Sequence, residues 1–572
     1  MKLIKKNLEK YGRSMYLYFP KGEPRSAVKR CSITILREAD TRESVQELLD
    51  GGLAEFAEEK NLILSFPNPA AGSWNYNLSK QWEDDVEIIQ AMQDALGTDR
   101  ELEPAEPYFG IPTYEMMINT WHPMNDTRYF VGIGSGASMV YTLAACRPEM
   151  VTAIMGIGGE LSVQAIKAAF YEPVPAWLTL AKAGVGEYFK KANATGEQED
   201  QEGFYCNDIN PLQCVKETEE APGLAKDPRQ ISGLIEKAWI ALFSRVRKPN
   251  TGNRGDCESR MVIEKEGFEI FLEDNRLQDG IKHSWYTHVP TKLREGTEKV
   301  PLMIFMHGGS DNPEEAAEMS KFHELGEAEG FITVYPWAGN KAGWNMKLLS
   351  SDEENKDDVA YITALIDYMI NNYPVDEQRV YLSGFSNGAG MAQTVAMLHP
   401  EKVAAICHID SNWPGDRLGA AEFDPELEPP FSLALSKQKS FPFRMPVWYT
   451  YGTREPSYPV YHKCSQQHQY DFWKRYNNIK IEPTPGAEAP HPCGCGVEGS
   501  KTEILKPCSI HPGHQYDVHR FFTEDDGHEN LYNFVLMRDK GHDIARMDPV
   551  LGWNYVKQFK RRPDGSVVRI EN

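Results

Sequence analysis

Cysteine is scarce in this chain, with ten in 572 residues. That dilution excludes the small secreted scaffolds in which disulfides stand in for a hydrophobic core. A basic excess is also missing: 61 lysines and arginines face 83 aspartates and glutamates, for a net charge of −22. No block or stripe of basic residues relieves the imbalance, so nucleic acid and anionic membrane surfaces are excluded as partners. Nor does any apolar run approach the ~18 residues of a membrane-spanning helix. The opening segment, MKLIKKNLEKYGRSMYLYF, has early lysines but neither an apolar core nor a small-residue cleavage site. It does not read as a secretory signal, and the cytoplasm is the expected location.

What is present suffices for two cores. The chain is 41% hydrophobic and 11% aromatic over 572 residues, which suits two domains at roughly 100 to 200 residues each, extended for α/β units. The stretch 247–260 (RKPNTGNRGDCESR) is polar and punctuated by Pro and Gly, so it is the predicted linker between domains 1–246 and 261–572. Residues 261–272 and 283–289 read as two antiparallel strands that open the second sheet. After them, strands alternate with helices of ten or more residues, the pattern of a mostly parallel sheet covered on both faces.

One pentapeptide names a reaction class. Gly384-Phe385-Ser386-Asn387-Gly388 follows a strand predicted over 379–385 and opens a helix predicted over 387–398. Gly-x-Ser-x-Gly is the form of a nucleophile elbow, where a sharp strand-to-helix turn lifts a serine into a strained, exposed position that only small neighbours permit. A serine hydrolase then needs oxyanion donors, an acid and a base, with the acid and base following the serine in that chain order. Upstream, the apolar strand 300–306 runs into His307-Gly308-Gly309-Ser310. The backbone N–H groups of Gly309 and Asn387 are assigned to the oxyanion hole. Downstream, the strand 446–451 ends at Gly452-Thr453-Arg454-Glu455, so Glu455 is the predicted acid. A last strand at 534–537 is followed by Gly541-His542 and a helix predicted over 549–560, making His542 the base. Asp410, after a strand predicted over 403–409, is the rival acid. This chemistry calls for no metal or organic cofactor.

These residues carry a resemblance. The stretch from about 283 to 562 resembles the polyhydroxybutyrate depolymerase and feruloyl or acetylxylan esterase branch of the α/β-hydrolases. The matching pieces are the His-Gly-Gly loop, Tyr335-Pro336 with Gly343-Trp344-Asn345, the helix start Asp357-Asp358-Val359, the elbow, and Gly541-His542. The resemblance implies a small-molecule ester substrate. It departs at Glu455, where many relatives carry aspartate.

Further residues are assigned to the surroundings of the site. His307 shapes the oxyanion loop and, with Trp337, Trp344 and Trp413, is expected to line a substrate pocket whose aromatic walls would favour aryl esters. A Pro/Gly-rich insertion is predicted at about 481–526, between acid and base and near the mouth of the site. It holds His491, Cys493, Cys495, Cys508, His511 and His514. Thiolates and imidazoles at such spacing can hold a structural zinc, but Cys-x-Cys is not the usual knuckle and no second pair follows, so a plain loop with free thiols is the expectation.

The N-terminal half repeats the C-terminal half without its reactive parts. Residues 132–157 align with 384–409 at 12 identities in 26 positions. Phe66-Pro67, Trp74-Asn75 and Asp84-Asp85-Val86 echo Tyr335-Pro336, Trp344-Asn345 and Asp357-Asp358-Val359. Gly134 falls where Ser386 stands, Arg37-Glu38-Ala39-Asp40 replaces the His-Gly-Gly loop, and the sole histidine before His283, His122, precedes the elbow. The prediction is two tandem α/β-hydrolase-like domains, the first non-catalytic, serving as a wall of the site, a homodimer face or a substrate holder. The second is expected to be a serine carboxylesterase for small soluble aryl, feruloyl or acetyl esters. A serine peptidase or amidase on the same fold, or a scaffold protein without activity, remains the alternative.

Overall fold

The computed structural model describes residues 2–570 apart from 9–11, 21–28, 80–84, 90–121, 220–225, 250–255, 339–342, 346–356, 412–433, 435–437, 439–442, 456–464, 481–499 and scattered single residues or pairs. The chain divides into two compact units, Met1–Met261 and Val262–Asn572. Among the described residues no helix is long and apolar enough to cross a membrane.

The first unit is built on β1 (Lys2–Leu8), β2 (Arg13–Phe19), β3 (Lys29–Leu36), β4 (Ile63–Pro67), β5 (His122–Ile133), β6 (Ala153–Ile157), β7 (Ala176–Thr179), β8 (Tyr205–Cys206) and β9 (Cys214–Thr218). Their order across the sheet is β1-β2-β4-β3-β5-β6-β7-β9-β8. A short ribbon, β10 (Val246–Arg247) with β11 (Glu258–Ser259), follows. The second unit contributes β12 (Glu269–Asp274), β13 (His283–His288), β14 (Val300–Met306), β15 (Ile332–Pro336), β16 (Val375–Phe385), β17 (Ala405–Ile409), β18 (Val447–Gly452), β19 (Ser500–Leu505), β20 (Tyr516–Phe522) and β21 (Asn530–Met537). Here the order is β12-β13-β15-β14-β16-β17-β18-β21-β20-β19.

The two sheets follow one plan. Each begins with two antiparallel joins, β1 to β2 and β2 to β4 in the first, β12 to β13 and β13 to β15 in the second. Parallel joins then run through the centre. The central strands β4, β6, β7, β14, β15, β17, β18 and β21 are buried at every position, as continuous apolar runs covered on both faces must be. The expected mostly parallel, two-unit α/β architecture is what the chain forms.

Individual buried hydrogen bonds recur as well. Tyr129 Oη donates to the Val246 carbonyl at 2.6 Å, and Tyr381 Oη to the Phe559 carbonyl at 2.7 Å. Two residues past each of those carbonyls lies a buried cation. Lys248 Nζ donates to the carbonyls of Pro148, Val151 and Pro173 at 2.9–3.0 Å. Arg561 donates to those of Val403, Gly565 and Arg444 at 2.8–2.9 Å. Each cation ties the chain's return to the start of a central strand. Lys248→Met would leave these carbonyls without their donor, a penalty on the order of 1–3 kcal/mol per buried group. Calorimetry should show a lowered unfolding midpoint, and Lys248→Arg should restore most of it.

Three expectations need correction. Residues 261–272 are not one strand: a 3₁₀ turn at Ile263–Lys265 precedes β12, which starts at Glu269 because Glu266 and Gly267 break the extended run. The stretch expected as an insertion at 481–526 contains β19 and β20, which extend the main sheet antiparallel beyond β21. The last helix is Asp548–Val556 rather than 549–560, since Phe559–Arg561 turns into a short strand against Val567–Arg569.

Candidate active site

The site is built around the turn after β16. Ser386 has φ 51° and ψ −111° between the end of β16 and the helix Asn387–Leu398. A positive φ on a residue bearing a Cβ costs on the order of 1–3 kcal/mol and persists only where the surroundings enforce it. The enforcement is visible. Ser386 N–H donates to the Ile409 carbonyl at 3.0 Å, fixing the turn to the end of β17. A Cβ at Gly388 would lie 2.2 Å from the Met306 carbonyl oxygen, and one at Gly384 would lie 2.5 Å from the Gly388 carbonyl carbon. Only glycine lets the helix start this close to β14. Gly388→Ala should therefore cost activity and stability together, read as a lower unfolding midpoint and a reduced ester turnover.

Glu455 and His542 follow the ends of neighbouring parallel strands, β18 and β21, whose register pairs Gly452 with Met537. That adjacency brings His542 Nδ1 to 2.8 Å from Glu455 Oε1. A carboxylate can only accept, so Nδ1 carries the proton and Nε2 of the neutral ring holds a free lone pair. The imidazole ring also lies 4.8 Å, centroid to centroid, from Phe385, the residue before Ser386. Glu455 is 5% exposed in its side chain and His542 42%. Burial lowers the His542 pKa, but the hydrogen bond to Glu455 and the charges of Glu455 and Asp410 outweigh it, and the net direction is upward.

Asp410, the rival acid, is committed elsewhere. It is buried, and its Oδ2 forms an ion pair with Lys540 Nζ at 2.8 Å. Lys540 is in turn 3.1 Å from Asp548 Oδ2, and all three side chains are fully buried. Asp410 Oδ1 accepts from Gly452 N–H at 3.0 Å and Oδ2 from Asp543 N–H at 3.3 Å. The cluster thus clamps both loops that carry Glu455 and His542. Burial pushes the Asp410 carboxyl well up, against the pull of Lys540, and the paired carboxylates hold Lys540 above its ordinary value. Donor atoms of Asp410, Glu455 and His542 lie within 4.8 Å of one another, a spacing a metal could use.

Gly309 is exposed in the loop after β14, and Asn387 opens its helix with a first-turn N–H. His307 is fully buried. Its Nε2 accepts from Ala338 N–H at 3.0 Å, which makes Nδ1 the protonated nitrogen, donating to the Gly308 carbonyl at 2.6 Å. Both nitrogens shape the loop and neither is left for substrate. Trp344 is 1% exposed; its indole donates to the His307 carbonyl at 2.9 Å and its backbone N–H to Asn387 Oδ1 at 2.5 Å. It braces the loop and the elbow rather than lining a pocket. Trp337 is partly exposed, while Trp413 lies outside the described residues. So do His491, Cys493 and Cys495; Cys508, His511 and His514 are buried, the last two with stacked rings.

The first unit shows the same turn and bracing bonds, with Gly134 where the second unit has Ser386. Gly134 has φ 62° and ψ −121°, and its N–H donates to the Ile157 carbonyl at 3.0 Å. Trp74 Nε1 donates to the Arg37 carbonyl at 2.6 Å as Trp344 does to His307, and Asn75 N–H to Asp85 Oδ2 at 2.8 Å as Asn345 does to Asp358 at 2.7 Å. Gly158 takes the place of Asp410, with φ 75° and its N–H on Thr179 as Asp410 N–H is on Thr450. Where a side chain would start at Gly134, Glu38 Oε1 lies 3.6 Å away.

The strained turn at Ser386, the Glu455–His542 hydrogen bond at the ends of β18 and β21, and the mostly parallel sheet together give the second unit an α/β-hydrolase architecture. Residues 288–416 of that unit match the family described as Esterase PHB depolymerase. Over 136 residues, 24% of this chain and 19% of the relative, it is 27% identical to a bifunctional acetylxylan esterase/xylanase of Neocallimastix patriciarum. Over 122 residues, 21% of this chain and 34% of the relative, it is 28% identical to feruloyl esterase B of Talaromyces funiculosus. The matches therefore span about a third or less of these two relatives' length. Among solved structures, it is similar to an acetyl xylan esterase from Aspergillus awamori, at 15% identity and a TM-score of 0.36, covering 51% of this chain and 99% of that one.

Proposed function

We propose that the second unit is a serine carboxylesterase acting on small soluble esters of aryl, feruloyl or acetyl type. The observation that carries this reading is the 2.8 Å bond between His542 Nδ1 and Glu455 beside a serine held at φ 51°. Ser386 Oγ attacks the ester carbonyl while His542 Nε2 takes its proton. The Gly309 and Asn387 N–H groups hold the oxyanion. His542 then protonates the leaving alcohol, and water repeats the sequence on the acyl-enzyme. Glu455 keeps the ring in the required tautomer and stabilises its charged form. The esterase names of the relatives support the substrate class. The test is a panel of aryl acetates, methyl ferulate and acetylated sugars beside matched anilides. Selective ester hydrolysis supports the reading, and equal or faster anilide cleavage would replace it with an amidase.

The base must be neutral to act, so activity falls as pH drops through the His542 pKa. Since that pKa is raised, the acidic limb of kcat/KM should lie above the ~6.5 of an ordinary histidine. Asp410→Asn removes one of the charges that favour the imidazolium and should move that limb to lower pH. A pH–rate profile of the two proteins checks the sign.

For the first unit, the common strand order and the recurring bonds support a duplicated hydrolase unit that has lost its chemistry. Homodimerisation is the proposed reason for its retention. Light scattering on the full-length chain that returns only monomer would refute that part.

A further inference from the structure

The far edge of the first unit's sheet carries two thiols that ester chemistry does not use. β8 pairs antiparallel with β9 in a register that sets Cys206 opposite Cys214. Asn207 N–H donates to the Gln213 carbonyl at 3.0 Å, so at the next pair outward the backbone of β8 turns toward β9, while Gln213 N–H closes the turn on the Asn210 carbonyl at 2.9 Å. The Cys206 carbonyl instead accepts from Gly196 N–H at 2.9 Å, away from β9. Cys206 and Cys214 are therefore a non-hydrogen-bonded pair, the type in which opposed Cα atoms stand about 4.5 Å apart with their side chains on one face. That separation falls inside the ~4.4–6.8 Å that a disulfide spans. Both cysteines are free thiols, Cys206 partly exposed and Cys214 buried.

Their surroundings divide the work between them. Cys206 Sγ donates to the Asp200 carboxylate at 3.6 Å, and the Cys214 thiol beside it lowers the Cys206 pKa against burial and the charge of Asp200. The neighbouring Cys206 sulfur and burial raise that of Cys214. A partly exposed thiol with a lowered pKa next to a buried protonated one is the arrangement of an attacking and a resolving cysteine.

We propose that Cys206 and Cys214 form a redox-reactive dithiol that closes to a disulfide on reaction with low-molecular-weight disulfides of the oxidised glutathione class. The Cys206 thiolate attacks one sulfur of oxidised glutathione, forming a mixed disulfide and expelling a glutathione thiolate. Cys214 then gives up its proton and attacks the Cys206 sulfur, expelling the second glutathione thiolate. Both thiolates leave as thiols after taking up the released protons. The dithiol loses two electrons and oxidised glutathione gains them. The product locks the edge hairpin that ends the sheet.

The sequence provides a clean readout, because the tryptic peptide 192–216 contains these two cysteines and no other. The full-length chain is incubated with oxidised glutathione, alkylated, digested without reduction and weighed. The expected result is loss of two hydrogens from that peptide with neither cysteine alkylated, reversed by dithiothreitol. Cys214→Ser should instead accumulate a glutathione adduct at Cys206, and Cys206→Ser should leave Cys214 unmodified. Circular dichroism confirms that each variant is folded. A folded wild type whose peptide stays dithiol, keeps a stable adduct at Cys206, or links to a cysteine elsewhere would overturn the proposal.

Discussion

Ser386→Ala should lower ester turnover on the order of 10⁶-fold in kcat, the loss expected when a nucleophile that acts together with its base is removed. Alanine keeps the Cβ and so tolerates the φ of 51° no worse than serine does. The anchoring bond to Ile409 is made by the backbone N–H and survives the change. Calorimetry and circular dichroism should therefore superimpose on wild type while hydrolysis disappears. The first unit cannot substitute, since Gly134 in the matching turn offers no hydroxyl.

The second large effect separates the two carboxylates near His542. Glu455→Gln leaves the size of the side chain unchanged but can present an N–H to Nδ1, which pushes the imidazole toward the wrong tautomer. A loss of roughly 10⁴-fold in kcat is the magnitude for such a change, with little effect on stability. Asp410→Asn should show the reverse. It leaves the buried Lys540 with Asp548 as its remaining carboxylate partner, and breaking a buried ion pair costs about 3–5 kcal/mol. The unfolding midpoint should fall while the remaining activity shows the shifted acidic limb. Equal kinetic damage in both variants would mean that the acid is shared between them.

Much of the site was legible because its signals are local. The elbow glycines, the helix from Asn387 to Leu398 and the strand from Val300 to Met306 follow from residue size and apolar runs alone, and the structure gives the same boundaries. Glu455 and His542 could be found because chain order restricts them to the ends of late strands. Lys540 and Asp548 could not. In the sequence Lys540 stands in the charged turn Arg538-Asp539-Lys540 and reads as a surface residue. Only β17 and β21, brought to one end of the sheet, enclose it between two carboxylates. Trp344 was misplaced for a related reason, because an indole that hydrogen-bonds to a carbonyl in the core has the same sequence signal as one that faces a ligand. The strands β19 and β20 were hidden by the Pro- and Gly-rich residues that precede them, which drew the whole stretch into an expected loop.

The central claim is that this chain holds one activated serine, Ser386. Labelling with a fluorophosphonate, wild type beside Ser386→Ala, with intact mass as the readout, tests it most directly. The account predicts a single adduct on wild type and none on the variant. An adduct that persists in the variant, or none on folded wild type, would contradict it.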